Sequence, residues 1–269
     1  MPAHPPLESR LSAMGLQLLH LSETDSTNLL AAQRAQEGAS DGLVVLADSQ
    51  QQGRGRQGRS WSSPAGCGLF VSFLRRPSLR AQDAWLWTLL AGTAAHAAIS
   101  EVREDCWLKW PNDLIAKERK LGGILCELQT GLQASIESIV VGVGLNLFLP
   151  PGGWEQSIED RAGSIWPGVP DDEAMQRRDD LLVSFASHFL LMEEDLEGAG
   201  RAALLMRYRA AMLPMVGRTV TVELAGRRLE ARVEGISDKG ALEVLDEGGQ
   251  RQRLLAGDVH LHGQGVVRN

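Results

Sequence analysis

Cysteine is scarce. The chain has three in 269 residues, and Cys67, Cys106 and Cys126 form no CxxC pair. That excludes a disulfide framework and leaves reduced thiols of a cytoplasmic protein as the expectation. No run of 18 apolar residues occurs, which excludes a membrane-spanning helix of ordinary length. The opening stretch, MPAHPPLESR, has neither a basic n-region nor an apolar h-region, so no secretory signal is expected. Positive charge is also in deficit. The formal net charge is −7, whereas a protein that coats nucleic acid is usually basic. Lysine is rarer still, with four (Lys109, Lys117, Lys120, Lys239) against 23 arginines, and three of the four fall between residues 109 and 120.

The apolar fraction of 43% and charged fraction of 23% are those of an ordinary globular protein, long enough for one large domain or for one plus a small one. TDSTNLLAAQRAQEGAS reads as a helix capped by a hydroxyl at Thr24 or Ser26 and stopped at Gly38. GLVVLAD (42–48) and CGLFVSFLRRP (67–77) read as buried strands, and AWLWTLLAGTAAHAAISEV (84–102) as a long buried helix. CWLKWPNDLIA (106–116) starts as a strand and turns at Pro111-Asn112-Asp113. KLGGILCELQT (120–130) and ESIVVGVGLNLFLP (137–150) read as strands joined by GLQAS. Two further helices are expected over 171–196 and 200–212. After Pro214 the texture changes to apolar–polar alternation with turn signals every 8 to 12 residues, a small β-barrel of about five strands. The expected organisation is a mixed α+β domain over 1–213 followed by a β-barrel over 214–269.

Residues 53–59, GRGRQGR, place three glycines and three arginines between two strands, and Trp61 closes the loop. The G-x-G-x-x-G spacing matches a dinucleotide fingerprint, but that motif needs a helix after the third glycine. Here RSWSSPAGCG leads into another strand instead, and no GK[ST] follows to make a P-loop. A solvated arginine loop is the plain alternative. Ordering so many glycines is entropically costly, which favours a loop whose N–H groups and guanidinium forks converge on a carboxylate or phosphate. Trp61 then offers a flat face for a ring. KWPNDL (109–114), RKLGGIL (119–125) and VGVGLNL (141–147) each put polar or glycine residues at strand ends. A turn, a bulge and a satisfied buried Asn146 are their structural readings; close approach to a ligand is the functional one.

In this order, DSTN, GRGRQGRSW, KWPNDL, KLGGIL and VGVGLN strongly resemble biotin protein ligase, from about residue 20 to the C-terminus. The resemblance implies a mixed β-sheet with flanking helices, biotin/lipoate-ligase-like and related to class II aminoacyl-tRNA synthetases, with an SH3-like C-terminal barrel. It implies two steps, biotinyl-5′-AMP from biotin and ATP, then transfer to a lysine of a biotin carboxyl carrier protein, a subunit of acetyl-CoA carboxylase. Mg²⁺ accompanies the nucleotide. Ser26, Thr27, Asn28, Gln50, Gly53, Arg54, Gly55, Arg56, Lys120, Gly122 and Gly123 match the biotin site. Arg56, Arg59, Trp61, Lys109, Asn112 and Asn146 match the adenylate site. Lys120, Arg54 and Arg56 are the expected catalytic groups, and Asp113 is a weak candidate for Mg²⁺. Gly122-Gly123 departs from the alanine-glycine of many members, and Gln52 from a smaller residue. The chain starts almost at the catalytic domain, so no DNA-binding helix-turn-helix is expected. Neither DNA nor membrane is an expected partner, and a homodimer is left open.

The chemistry is consistent with the residue types. Charge moves onto phosphate oxygens during adenylation, so positioning and cations are what it needs, and no nucleophilic side chain is required. His260-x-His262 lacks a third metal ligand, and Asp160-Arg161 with the DDE run at 171 read as solvated charge. Two rival functions remain open at this point: lipoate or octanoate attachment, and a non-enzymatic sensor of biotinyl-AMP.

Overall fold

A computed structural model describes residues 5–62, 64–78, 81–130, 136–194, 196, 199–224, 227–255 and 257–261. The loop GLQAS (131–135), His262 and the Arg227 side chain lie outside the described residues.

A short helix α1 (Leu7–Ser12) leads into β1 (Gln17–Thr24), then α2 (Thr27–Gln36), β2 (Leu43–Gln50), β3 (Gly68–Arg75) and α3 (Trp85–Ser100). Next come β4 (Trp107–Lys109), β5 (Asp113–Ala116), β6 (Arg119–Thr130) and β7 (Ile136–Asn146), followed by α4 (Ala174–Glu194) and α5 (Ala199–Ala211). The last five strands are β8 (Thr219–Leu224), β9 (Arg227–Ile236), β10 (Leu242–Asp246), β11 (Arg251–Leu254) and β12 (Asp258–Leu261). The first seven strands form one sheet in the order β1-β2-β3-β7-β6-β5-β4, and the last five form a second in the order β11-β10-β9-β8-β12. Only β1 and β2 pair in parallel, as a β-α-β unit around α2; the other described pairs are antiparallel. The fold is therefore α+β with a C-terminal five-stranded antiparallel sheet of SH3-like form, as expected.

Alternation along β2 sorts its side chains between two layers. Leu43 and Val45 face α2, with Ala31, Ala35, Leu74 and Val140. Val44 and Leu46 face the larger core under α3 and α4. Alanines on α2 let it lie close to the sheet. The opposite layer is filled by aromatic rings, with Phe73–Phe185 centroids 5.3 Å apart and Trp87–Phe189 5.9 Å apart. Burying the apolar face of α3, eleven residues of it, accounts for its helix without strong caps.

The main core continues without a break into the second sheet through Met215, Val220, Val222, Ala231 and Leu242. The turn after β4 is fixed from that side, because Trp110 Nε1 donates to Gly240 O at 2.9 Å. Gly240 sits at φ +69°, and a methyl group there would lie 2.3 Å from the Trp85 ring. Gly240→Ala should therefore destabilise the whole chain by about 2–4 kcal/mol, from left-handed strain plus overpacking. Urea unfolding measures it, and a shift under 1 kcal/mol would mean that Trp85 moves aside freely.

Candidate active site

The strand ends of the large sheet converge on one cavity of about 360 Å³. Of the two expected caps, Thr24 and Ser26, it is Ser26 that caps α2 by accepting from Leu29 N–H, and Thr27 and Asn28 are buried in its first turn. Thr27 donates from backbone N–H and hydroxyl to Gln50 Oε1, at 2.8 and 3.2 Å. The Ser72 hydroxyl lies 2.8 Å from Thr27 Oγ1 and donates to Asn28 Oδ1 at 2.6 Å. Asn28 Nδ2 donates to Leu125 O and Glu127 Oε2. Gly142 on β7 is the floor beneath that amide, since a methyl group there would stand 2.0 Å from Asn28 Oδ1. Gly144, two residues on, lies under Trp61 in the same way, at 3.0 Å.

The glycine-arginine loop is closed on itself. Gly55 N–H donates to Arg59 O, Trp61 N–H donates to Gly53 O, and Gln57 adopts φ +57° at the tip. Several contacts tie it to the body. Arg54 pairs with Glu127 at 3.1 Å, Arg56 Nη1 donates to Asn112 Oδ1 at 3.1 Å, and the Ser62 hydroxyl donates to Glu155. Asn112 is held by Ile124 O, which accepts from its Nδ2 at 2.8 Å.

Lys109 and Lys120 share one carboxylate. Asp113 Oδ2 lies 3.0 Å from Lys109 Nζ and Oδ1 lies 2.6 Å from Lys120 Nζ. Burial alone would raise the Asp113 pKa, but the two ammonium groups hold it well below the usual carboxylate range. Lys120 Nζ also lies 5.3 Å from the Trp61 ring centroid. Its backbone is clamped: its N–H donates to Arg161 O, its carbonyl accepts from Gly163 N–H, and Asn146 Nδ2 donates to Lys120 O and Gly163 O.

Of the residues singled out from the sequence, all but two line this cavity. Gly53 is buried in the loop's own closure. Gly122 faces the other way, where a methyl group would meet Leu145 and Gly144 O at 2.4 and 2.7 Å. Gly122 therefore serves strand packing, and Gly123 is the one whose face meets Lys120. Asp113, the weak candidate for Mg²⁺, has each of its oxygens paired with a lysine. Among the described residues no three His, Cys, Asp or Glu side chains form a metal cluster. Arg161, read as solvated charge, lines the cavity beside Trp154 and Ile158. Thiol chemistry finds no support, because burial raises all three thiol pKa values, Cys106 and Cys126 to about 12. Ser72 and Glu127 were missed, and Gly142 and Gly144 were read only as part of VGVGLNL, without a role of their own. The i, i+2 glycines of β7 were the available signal, since they open one face of a strand.

Residues 21–146 match the biotin/lipoate A/B protein ligase family, and 216–261 match the biotin protein ligase C-terminal domain. The biotin–[acetyl-CoA-carboxylase] ligase of Mycobacterium tuberculosis is 33% identical over 252 residues, 90% of this chain and 88% of its own. This chain belongs to the biotin protein ligase family. A second family member, from Paracoccus denitrificans, is 32% identical over 257 residues, spanning 90% of this chain and 100% of its own. The bifunctional ligase/repressor BirA of Bacillus subtilis is 33% identical over 94% of this chain and 76% of its own length. Among solved structures, the family's Aquifex aeolicus ligase in complex with biotin and ATP superposes with a TM-score of 0.71 at 27% identity, covering 91% and 98% of the two chains.

Proposed function

We propose that this chain joins biotin to ATP as biotinyl-5′-AMP and then passes biotin to a lysine of a biotin carboxyl carrier protein. The supporting observation is electrostatic. On a chain of net charge −7, one cavity gathers Arg54, Arg56, Arg59, Lys109, Lys120 and Arg161 against only Asp113 and Glu155. Such a cavity suits a carboxylate and a polyphosphate held together. The biotin carboxylate attacks the α-phosphorus, the bond to the β-phosphate oxygen breaks, and pyrophosphate leaves. The acceptor amine then attacks the acyl carbon, AMP leaves, and the amine proton goes to solvent.

In this reading Arg54 takes the biotin carboxylate and Lys120 the reacting phosphate. Ser26, Thr27 and Gln50, with the backbone of Gly55 and Gly123, bound the biotin ring. Arg56, Arg59, Lys109 and Asn112 hold the nucleotide, Trp61 gives it a flat wall, and Asn146 secures the strand behind Lys120. Magnesium would come with the nucleotide's phosphates and offset their charge; among the described residues no three His, Cys, Asp or Glu side chains group to cage it. Residues 1–213 carry the chemistry, and 214–269 support it. The polar wall of Thr27, Asn28 and Gln50, backed by the buried Ser72, favours a ring bearing a ureido group over the apolar chain of lipoate or octanoate. A bare sensor of the adenylate would not need Lys120 held so firmly.

No helix of the described residues is long and apolar enough to cross a membrane. A cytoplasmic enzyme without a DNA partner is the consistent assignment, since cations concentrated in one cavity leave an acidic exterior. Biotin-dependent ATP–pyrophosphate exchange by the purified chain, followed by labelling of a carrier domain, tests the whole reading. Absence of exchange would overturn it, and exchange with lipoate or octanoate in place of biotin would select the rival.

Arg56→Gly should let the adenylate escape. It removes a charged donor anchored on Asn112, so release should quicken about 10- to 100-fold. The variant should then label bystander proteins, detected by streptavidin blot. Labelling confined to the carrier domain at the parent rate would remove Arg56 from this role.

A further inference from the structure

Glu127 belongs to no motif, and its carboxylate is not among the groups that line the cavity. It nonetheless joins two groups that do. Its Oε1 lies 3.1 Å from Arg54 Nη2, and its Oε2 accepts from Asn28 Nδ2 at 2.9 Å. We infer that Glu127 is a positioning residue for biotin: one carboxylate fixes both the arginine that meets the substrate carboxylate and the amide beneath its ring. The inference rests on the biotin ligase reading above.

The first half concerns Arg54. Its side chain is about half exposed, and it stands on a loop that is also tied to the body through Arg56, Trp61 and Ser62. An arginine side chain in water samples many rotamers, and a ligand that needs it in one pose must meet that ordering cost. Glu127 meets part of it before the ligand arrives. Arginine has five donors in a fork, so engaging Nη2 leaves the other N–H groups for a second carboxylate.

The second half concerns Asn28. Its amide has two orientations that differ only by exchange of O and N. Leu125 O and Glu127 Oε2 both accept from Nδ2, while the Ser72 hydroxyl donates to Oδ1. The pattern selects one orientation, and Ser72 passes it on toward Thr27 and Gln50. A single chain of polar contacts thus runs from the loop arginine on one side to Gln50 on the other, and Glu127 is its only charged internal link. A nucleotide bound at Lys109 and Asn112 does not meet this chain.

Substrate selectivity of the defect is therefore the test. Steady-state ATP–pyrophosphate exchange is measured for the parent and for Glu127→Gln, varying biotin and ATP separately. The expected result is a biotin KM about three to ten times higher, the scale of one partly exposed ion pair plus one hydrogen bond. The ATP KM and kcat should stay within twofold. In an Arg54→Ala background the same substitution should move the biotin KM less than it does in the parent, because part of its action runs through Arg54. Glu127→Asp, which keeps the charge but not the reach, should give an intermediate rise and supplies the reading if Glu127→Gln does not fold. An unchanged biotin KM, an equal rise in both KM values, or full additivity with Arg54→Ala would overturn the inference. A parent without exchange would instead overturn the ligase reading itself.

Discussion

Lys120→Ala slows biotinyl-AMP formation roughly thirty- to nine-hundred-fold, which corresponds to about 2–4 kcal/mol of barrier, the scale of one lost electrostatic stabiliser. The structure makes this a local loss. The Lys120 backbone is held by Arg161, Gly163 and Asn146, none of which needs its side chain. What disappears is an ammonium 2.6 Å from Asp113 and over the Trp61 ring. The loss is compounded because Asp113 then keeps only Lys109, so a less compensated carboxylate faces the incoming phosphates. Single-turnover adenylation with saturating biotin and ATP reads the rate, and circular dichroism checks the fold. A rate within fivefold of the parent would leave Lys120 outside the chemistry.

Gly142→Ala abolishes biotin binding at working concentrations, with affinity reduced about 100-fold or more. The added methyl group would stand 2.0 Å from Asn28 Oδ1 and within 2.9 Å of its Nδ2, so the amide must leave. Leaving breaks the bonds to Ser72, Leu125 and Glu127, each worth about 1 kcal/mol. β7 cannot yield instead, because it is hydrogen-bonded on both sides, to β3 and β6. Global stability falls as well, by about 3 kcal/mol for the three broken bonds or more where the strand is overpacked. Calorimetric titration with biotin separates the two, and binding within tenfold of the parent would show that the amide swings away without consequence.

Strands whose two faces are both buried were legible as unbroken apolar runs, as in β2 and β3, and the β2–β3 loop was legible because no helix follows its glycines. β1 was not, since its QLLHLSET alternates irregularly at a sheet edge where packing asks little. Gly122 and Gly123 were indistinguishable in sequence. Which of them faces the cavity depends on a register shift at Leu114/Ile115, set by how β5 pairs with β6. Glu127 was invisible for a related reason, since its partners Arg54 and Asn28 lie 73 and 99 residues away and only the folded sheet brings them together. The expected boundary at residue 214 marks a change of periodicity, yet the core runs across it. Periodicity reports which face of a strand is buried and says nothing of what buries it.

The Trp110–Gly240 bond has a mechanical meaning. The turn from Trp110 to Asn112 presents Asn112 to the cavity while its back is bolted to the second sheet. The turn that carries Asn112 is therefore held by a module that contributes most of its residues elsewhere. Residues such as Ser237, which accepts from Ala241 N–H and shapes the Gly240 turn, act on the chemistry the way a foundation acts on a hinge, at a distance and without contact. The C-terminal sheet thus braces the turn that presents Asn112.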